Sequence, residues 1–170
     1  MFVTVTGCAS TNKAQEALAA PQVHSSSDLK EGIIGKHPST YIQLAAQLLN
    51  DGKMDEAVKW YYVGQMRFRA HLKANPSLDK SGDPALYSSF KYVVGTPINE
   101  YAGGSPDDWV KLIEQAIDWN KKNPNNFTDK EKHPEIYSEI ENNFQEFKTY
   151  VIENKDKIRK QRAENGLENR

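Results

Sequence analysis

From about residue 38 onward, apolar residues recur three and four positions apart almost to the end of the chain. That period constrains the fold more than any other feature, because it lays one apolar stripe along each of several α-helices. In PSTYIQLAAQLLNDG, Tyr41, Leu44, Ala45 and Leu48 share a face, and Asn50-Asp51-Gly52 supplies a stop and a turn. KMDEAVKWYYVGQMRFRAHLKANP resumes the period with Ala57, Tyr61, Gly64, Phe68 and Leu72, and Val58 and Tyr62 widen the face before Pro76 closes the segment. Asp83-Pro84 opens a third helix, ALYSSFKYVVG, which stops at Gly95. Ser105-Pro106-Asp107-Asp108 starts a fourth, with Trp109, Leu112, Ile113, Ala116 and Ile117 on its inner face. From Pro134 onward, Ile136, Ile140, Phe144, Phe147, Val151 and Ile158 mark a long last stripe. TPINEYAGG is the least regular stretch, and no alternating strand pattern occurs. The expectation is an all-α single domain of about five helices that begins with a helix hairpin and ends in a long C-terminal helix.

The first two helices resemble one tetratricopeptide unit, chiefly over LLNDGKMDEAVKWYYVGQ. The first helix matches at Tyr41, Leu44-Ala45 and Leu48, and the second at Ala57, Tyr61 and Gly64. Small residues there let the helices approach and large ones fill the space between. The pattern does not recur at the repeat's period of about 34 residues, and such repeats need about three copies to bury a continuous core. A single hairpin is expected, not an array.

Val5-Thr6-Gly7-Cys8 resembles the lipobox of bacterial lipoproteins. The resemblance implies that Cys8 carries a diacylglycerol thioether as the mature N-terminus, a durable anchor once several acyl chains are present. The body would then face the periplasm, and Ala9 in place of Asp leaves an outer-membrane destination open. Only MFVTVTG precedes the cysteine, with no Lys or Arg, so residues 1–8 are read as a truncated signal remnant. Residues 9–35 are small and polar and read as a flexible tether, 36–165 as the helical domain and 166–170 as a frayed tail. Without lipidation at Cys8 the chain reads as a cytoplasmic helical adaptor.

The 22 Lys and Arg against 23 Asp and Glu leave a formal charge of −1, which excludes a general nucleic-acid binder. The basic run KDKIRKQR suits the C-terminal end of a helix, or an anionic partner or lipid surface. One cysteine excludes an internal disulfide and a multi-cysteine metal site. His24, His37, His71 and His133 lack a second ligand at helix-face spacing; His71 falls near Arg67, which is unfavourable for a metal, and His37 and His133, each before a proline at a helix start, read as solvated boundary residues. No metal and no cofactor is therefore expected. Asp55-Glu56 and Asp107-Asp108 read as helix starts, and no catalytic motif occurs. The chain is expected not to be an enzyme.

Two surfaces stand out as partner-binding candidates: Trp60, Arg67 and Arg69 within WYYVGQMRFR, and Glu100 and Tyr101 in the irregular stretch. The leading reading is a non-enzymatic envelope lipoprotein that binds another protein, an immunity protein against an envelope-acting toxin in one version. The alternative, from a different class, is a small-ligand-binding or enzymatic envelope protein. Its pocket would lie between the second, third and fourth expected helices and use Tyr62, Arg67, His71 and Glu100.

Overall fold

A computed structural model describes residues 25–170. Cys8, the lipobox-like run, His24 and the first part of the 9–35 stretch lie outside the described residues. The described chain forms α1 (Ser26–Lys30), a 3-10 turn (Ile33–Gly35), α2 (Ser39–Asn50), α3 (Met54–Ala74) and α4 (Asp83–Val93). It continues with α5 (Gly95–Gly103), α6 (Pro106–Lys122), α7 (Pro134–Glu153) and α8 (Lys155–Glu164), with no strand among the described residues.

Helix α3 is the axis of the fold, packing against α2, α4, α5, α6 and α7. Its apolar residues cover nearly its whole circumference: Ala57, Val58, Tyr61, Tyr62, Val63, Met66, Phe68 and Ala70 are all buried. A helix buried on all sides is what a wide apolar face predicts. Helices α2 and α3 pack as a hairpin, with Tyr41, Leu44, Ala45 and Leu48 fully inside. A Cβ built on Gly64 would stand 2.8 Å from Ile42 Cγ1 and 3.0 Å from Tyr41 Cβ, so only glycine permits this approach.

The architecture is all-α, but eight α-helices replace the expected five among the described residues. Three local causes account for the difference. Ser25 and Asp28 form a reciprocal capping box that starts α1 inside the 9–35 stretch, and Leu29 is buried behind it. TPINEYAGG is helical as α5, because Pro97 sits in the first turn, where an N–H is not needed, and Ile98 and Ala102 are buried. The long last stripe breaks at Asn154 (φ −112°, ψ 17°), so α7 and α8 are separate helices. Lys155 and Arg159 of α8 both pair with Asp107 at the start of α6.

Candidate metal centre

Three helix ends converge on one point of the surface. His37 precedes Pro38, the residue that caps α2; His71 lies in the last turn of α3; Asp83 is the first residue of α4. A carboxylate at a helix start and a basic side chain at a helix end both suit the macrodipole. One residue of each kind is thereby brought to the same place. Asp83 Oδ2 lies 2.8 Å from His71 Nε2 and 3.2 Å from His37 Nε2. The ligand atoms of all three residues fall within 4.8 Å of one another.

The imidazoles are held edge-on between two phenyl rings. Phe68, in the core, stands 5.5 Å from His37 and 6.3 Å from His71 between ring centroids. Phe127 covers the outer side at 4.9 and 5.2 Å. Phe127 is presented by the loop between α6 and α7, whose path is fixed from several directions. Asn125 Oδ1 accepts from the Phe127 and Thr128 N–H groups, and Asn126 N–H donates to the Ile34 carbonyl at 2.8 Å. Tyr137 Oη donates to the Thr128 carbonyl at 2.7 Å.

The hydrogen bonds also define the tautomers. Ser39 N–H donates to His37 Nδ1, and the Asn75 amide donates to His71 Nδ1 at 3.3 Å. Each Nδ1 is thus an acceptor, so each Nε2 carries the proton and donates to Asp83 Oδ2. Burial pulls the Asp83 carboxyl upward, and the hydrogen bonds from His71 and His37 outweigh it and hold it below the usual carboxylate range.

The donor set suits a metal ion. Two imidazole nitrogens and one carboxylate are the ligands of catalytic zinc sites and of non-haem iron sites, which keep positions open for water or substrate. With metal–ligand bonds of about 2.0–2.1 Å, tetrahedral ligand atoms stand about 3.3 Å apart. The His71–Asp83 edge would open by about half an ångström, the His37–Asp83 edge already fits, and the His37–His71 edge, at most 4.8 Å, would close to match. The side chains of His37 and Asp83 are 29% and 26% exposed, which leaves an outer face for a further ligand. In the metal-bound tautomer, Nδ1–H of His37 donates to Ser39 Oγ, already 2.7 Å away. For His71 the Asn75 amide must turn to offer its oxygen.

This cluster overturns the reading of the chain as a non-enzymatic protein-binding module, and with it the flat expectation that it is no enzyme. Lipoprotein, protein binding and immunity protein conflict, as a description of function, with this cluster, which favours the ligand-binding or enzymatic alternative. His71 is the one residue of the cluster among those singled out for the alternative pocket. The other candidates lie elsewhere. Arg67 is 1% exposed and points into the fold, where its guanidinium donates to Asn120 Oδ1 (3.2 Å) and to the Asn123 (3.1 Å) and Pro124 (2.8 Å) carbonyls. Trp60 is buried against Tyr41 and Trp119. Glu100 is exposed on α5, and Tyr101 is half-buried beneath the Arg170 guanidinium. Tyr62 lines a cavity on another side of α3, together with Arg69.

No family model matches this chain, and no solved structure matches it. It is similar to a Haemophilus influenzae protein described only as uncharacterized, with 29% identity over 151 residues. The similarity covers 78% of this chain and 57% of that protein, so the chain spans little more than half the length of the relative it matches.

Proposed function

We propose that this chain binds one divalent transition-metal ion, with Zn²⁺ or Fe²⁺ the best fit, through His37 Nε2, His71 Nε2 and the Asp83 carboxylate. It acts there as a ligand-binding protein or an enzyme. The observation that carries the reading is the convergence of three donors from α3, α4 and the approach to α2 within 4.8 Å, with a partly exposed outer face. A metal held by three protein ligands keeps a position for water, whose pKa it can lower toward about 7, or for an anionic substrate. Phe68 and Phe127 give the site apolar walls, which strengthen such electrostatic interactions.

Competition titration of the metal-free protein against a chromogenic zinc chelator tests this. Wild type is expected to take up one equivalent, and His71→Ala and Asp83→Asn are expected to lose it while retaining their helical circular dichroism. Equal uptake by all three proteins, or none by wild type, would sink the proposal. The cluster would then be a hydrogen-bonded latch joining α2, α3 and α4.

We also propose, from the sequence, that Cys8 anchors the chain at the periplasmic face of a bacterial membrane. Labelled palmitate should enter the protein in cells and fail to enter Cys8→Ser; no label in either would remove the anchor.

A further inference from the structure

A cavity of about 430 Å³ opens on another side of α3, walled by α3, α5, α6 and α7. Arg69, at its edge, is two positions from His71, or about 200° around the helix, so the two side chains point to nearly opposite sides. The cavity is therefore separate from the His37–His71–Asp83 cluster.

Its walls are aromatic. Trp109 and Phe147 meet edge to face at 5.5 Å, and Tyr62 stands 5.9 Å from Phe147 and 6.0 Å from Phe144. A hydrogen-bond chain fixes two of these rings: Trp109 Nε1 donates to Tyr62 Oη at 2.6 Å, and Tyr62 Oη donates to Asn99 Oδ1 at 2.9 Å. The aromatic faces are held in place before any ligand arrives, which lowers the entropy cost of binding one.

The polar groups divide into those with partners and those without. Gln65 Oε1 accepts from Tyr87 Oη at 3.4 Å, and Asn143 lies beside the Glu139 carboxylate. Arg69 is different. It is the one charged residue lining the cavity, and its guanidinium stands 5.7 Å from the centre of the Phe144 ring. Glu139, whose carboxyl feels the Arg69 charge, has both oxygens on Lys73, at 2.8 and 2.9 Å. Among the described residues Arg69 has no hydrogen bond or ion pair. An arginine is well shaped to bind a carboxylate with two parallel N–H donors. The Asn99 amide nitrogen, its oxygen already bonded to Tyr62, adds further donors.

From this combination we propose that the cavity is a second binding site, for a small planar aromatic carboxylate. Arg69 takes the carboxylate, and the ring lies among Trp109, Phe144 and Phe147. The volume is within the range of ligand pockets, about 300–1,000 Å³. The unpaired cation excludes cationic ligands and disfavours neutral ones of the same shape.

Calorimetric titration with indole-3-acetate and its neutral isostere indole-3-acetamide tests the proposal. The acid is expected to bind wild type at least about tenfold more tightly than the amide, as one well-made charge-assisted pair implies. Arg69→Gln should bring the acid down to the affinity of the amide, and Asp83→Asn, which disables the metal centre, should leave both affinities unchanged. Equal affinity of acid and amide for wild type would overturn the proposal without reliance on any variant. So would the absence of binding by either at millimolar concentration, or an Arg69→Gln protein that folds and binds the acid as wild type does.

Discussion

Replacing Arg67 by Met is the most informative single perturbation of the fold. The methionine fills the volume of the aliphatic stem but removes every donor of the guanidinium. Three acceptors receive those donors: Asn120 Oδ1, the Asn123 carbonyl and the Pro124 carbonyl. Lys130 Nζ also donates to the Asn123 carbonyl, at 2.8 Å, so that oxygen keeps a partner. The buried Asn120 Oδ1 loses its partner at about 1–3 kcal/mol, and the Pro124 carbonyl, on an exposed residue that water can reach, loses its own at less. Stacking of the guanidinium over Tyr41 (5.1 Å) and Trp119 (5.0 Å) is lost as well. Opposing these losses, the variant no longer desolvates a cation, and burial here is strong enough to lower the Arg67 pKa. The net expectation is a loss of about 2–4 kcal/mol in urea unfolding, or roughly 5–15 °C in Tm for a domain of this size. Arg67→Lys should fall between, since a point charge cannot span all three acceptors. A loss below about 1 kcal/mol for Arg67→Met would refute the reasoning, because it would mean that those acceptors find water or new partners at no cost.

Further outcomes follow from the same geometry. Gly64→Ala should cost about 1–2 kcal/mol in chemical denaturation despite alanine's better helix propensity, because its Cβ would press on Ile42 and Tyr41; a neutral or stabilised variant would contradict the packing described. Asp83 has its folded pKa below its unfolded one, so the stability it contributes is complete above about pH 4 and disappears as pH falls through the folded value. The Tm of wild type should therefore fall faster than that of Asp83→Asn in acid scans, and parallel curves would contradict this. Ser39→Ala removes the acceptor waiting for His37 Nδ1–H and should weaken zinc affinity about 10- to 100-fold without changing stoichiometry, as read by chelator competition.

The fold was legible where the apolar period was unbroken and illegible where boundary chemistry decided the outcome. The stripes of α2, α3, α4, α6 and α7 each stand in the sequence as residues three and four apart. Helix α5 was hidden because Gly95, Pro97 and the Gly103-Gly104 pair all read as breakers, although each lies in a first or last turn where it is tolerated. The division of α7 from α8 had no signal stronger than Asn154. Arg67, an arginine among aromatics on a helix, looked like an interface anchor; it is instead the buried tie between α3 and the α6–α7 loop.

The candidate metal centre was barely legible, for a physical reason. Its residues stand 46 and 12 positions apart from Asp83, with no helix-face spacing between any pair. Each also has a sufficient local explanation: His37 before a proline, His71 in a basic last turn, Asp83 opening a helix ahead of Pro84. Only the angle between α3 and α4, set by core packing, turns three boundary residues into one cluster. The retained hint was a pairing of two features read separately, an acid at a helix start and a histidine at the end of the preceding helix.

Cobalt substitution tests the central claim most directly. Co²⁺ added to the metal-free protein should produce the intense visible d–d bands of a four-coordinate site, saturating at one equivalent and shifting when an anion such as azide takes the open position. The bands should be absent from His71→Ala. A spectrum in wild type that remains that of the hydrated ion, or that is the same with and without His71, would contradict the account.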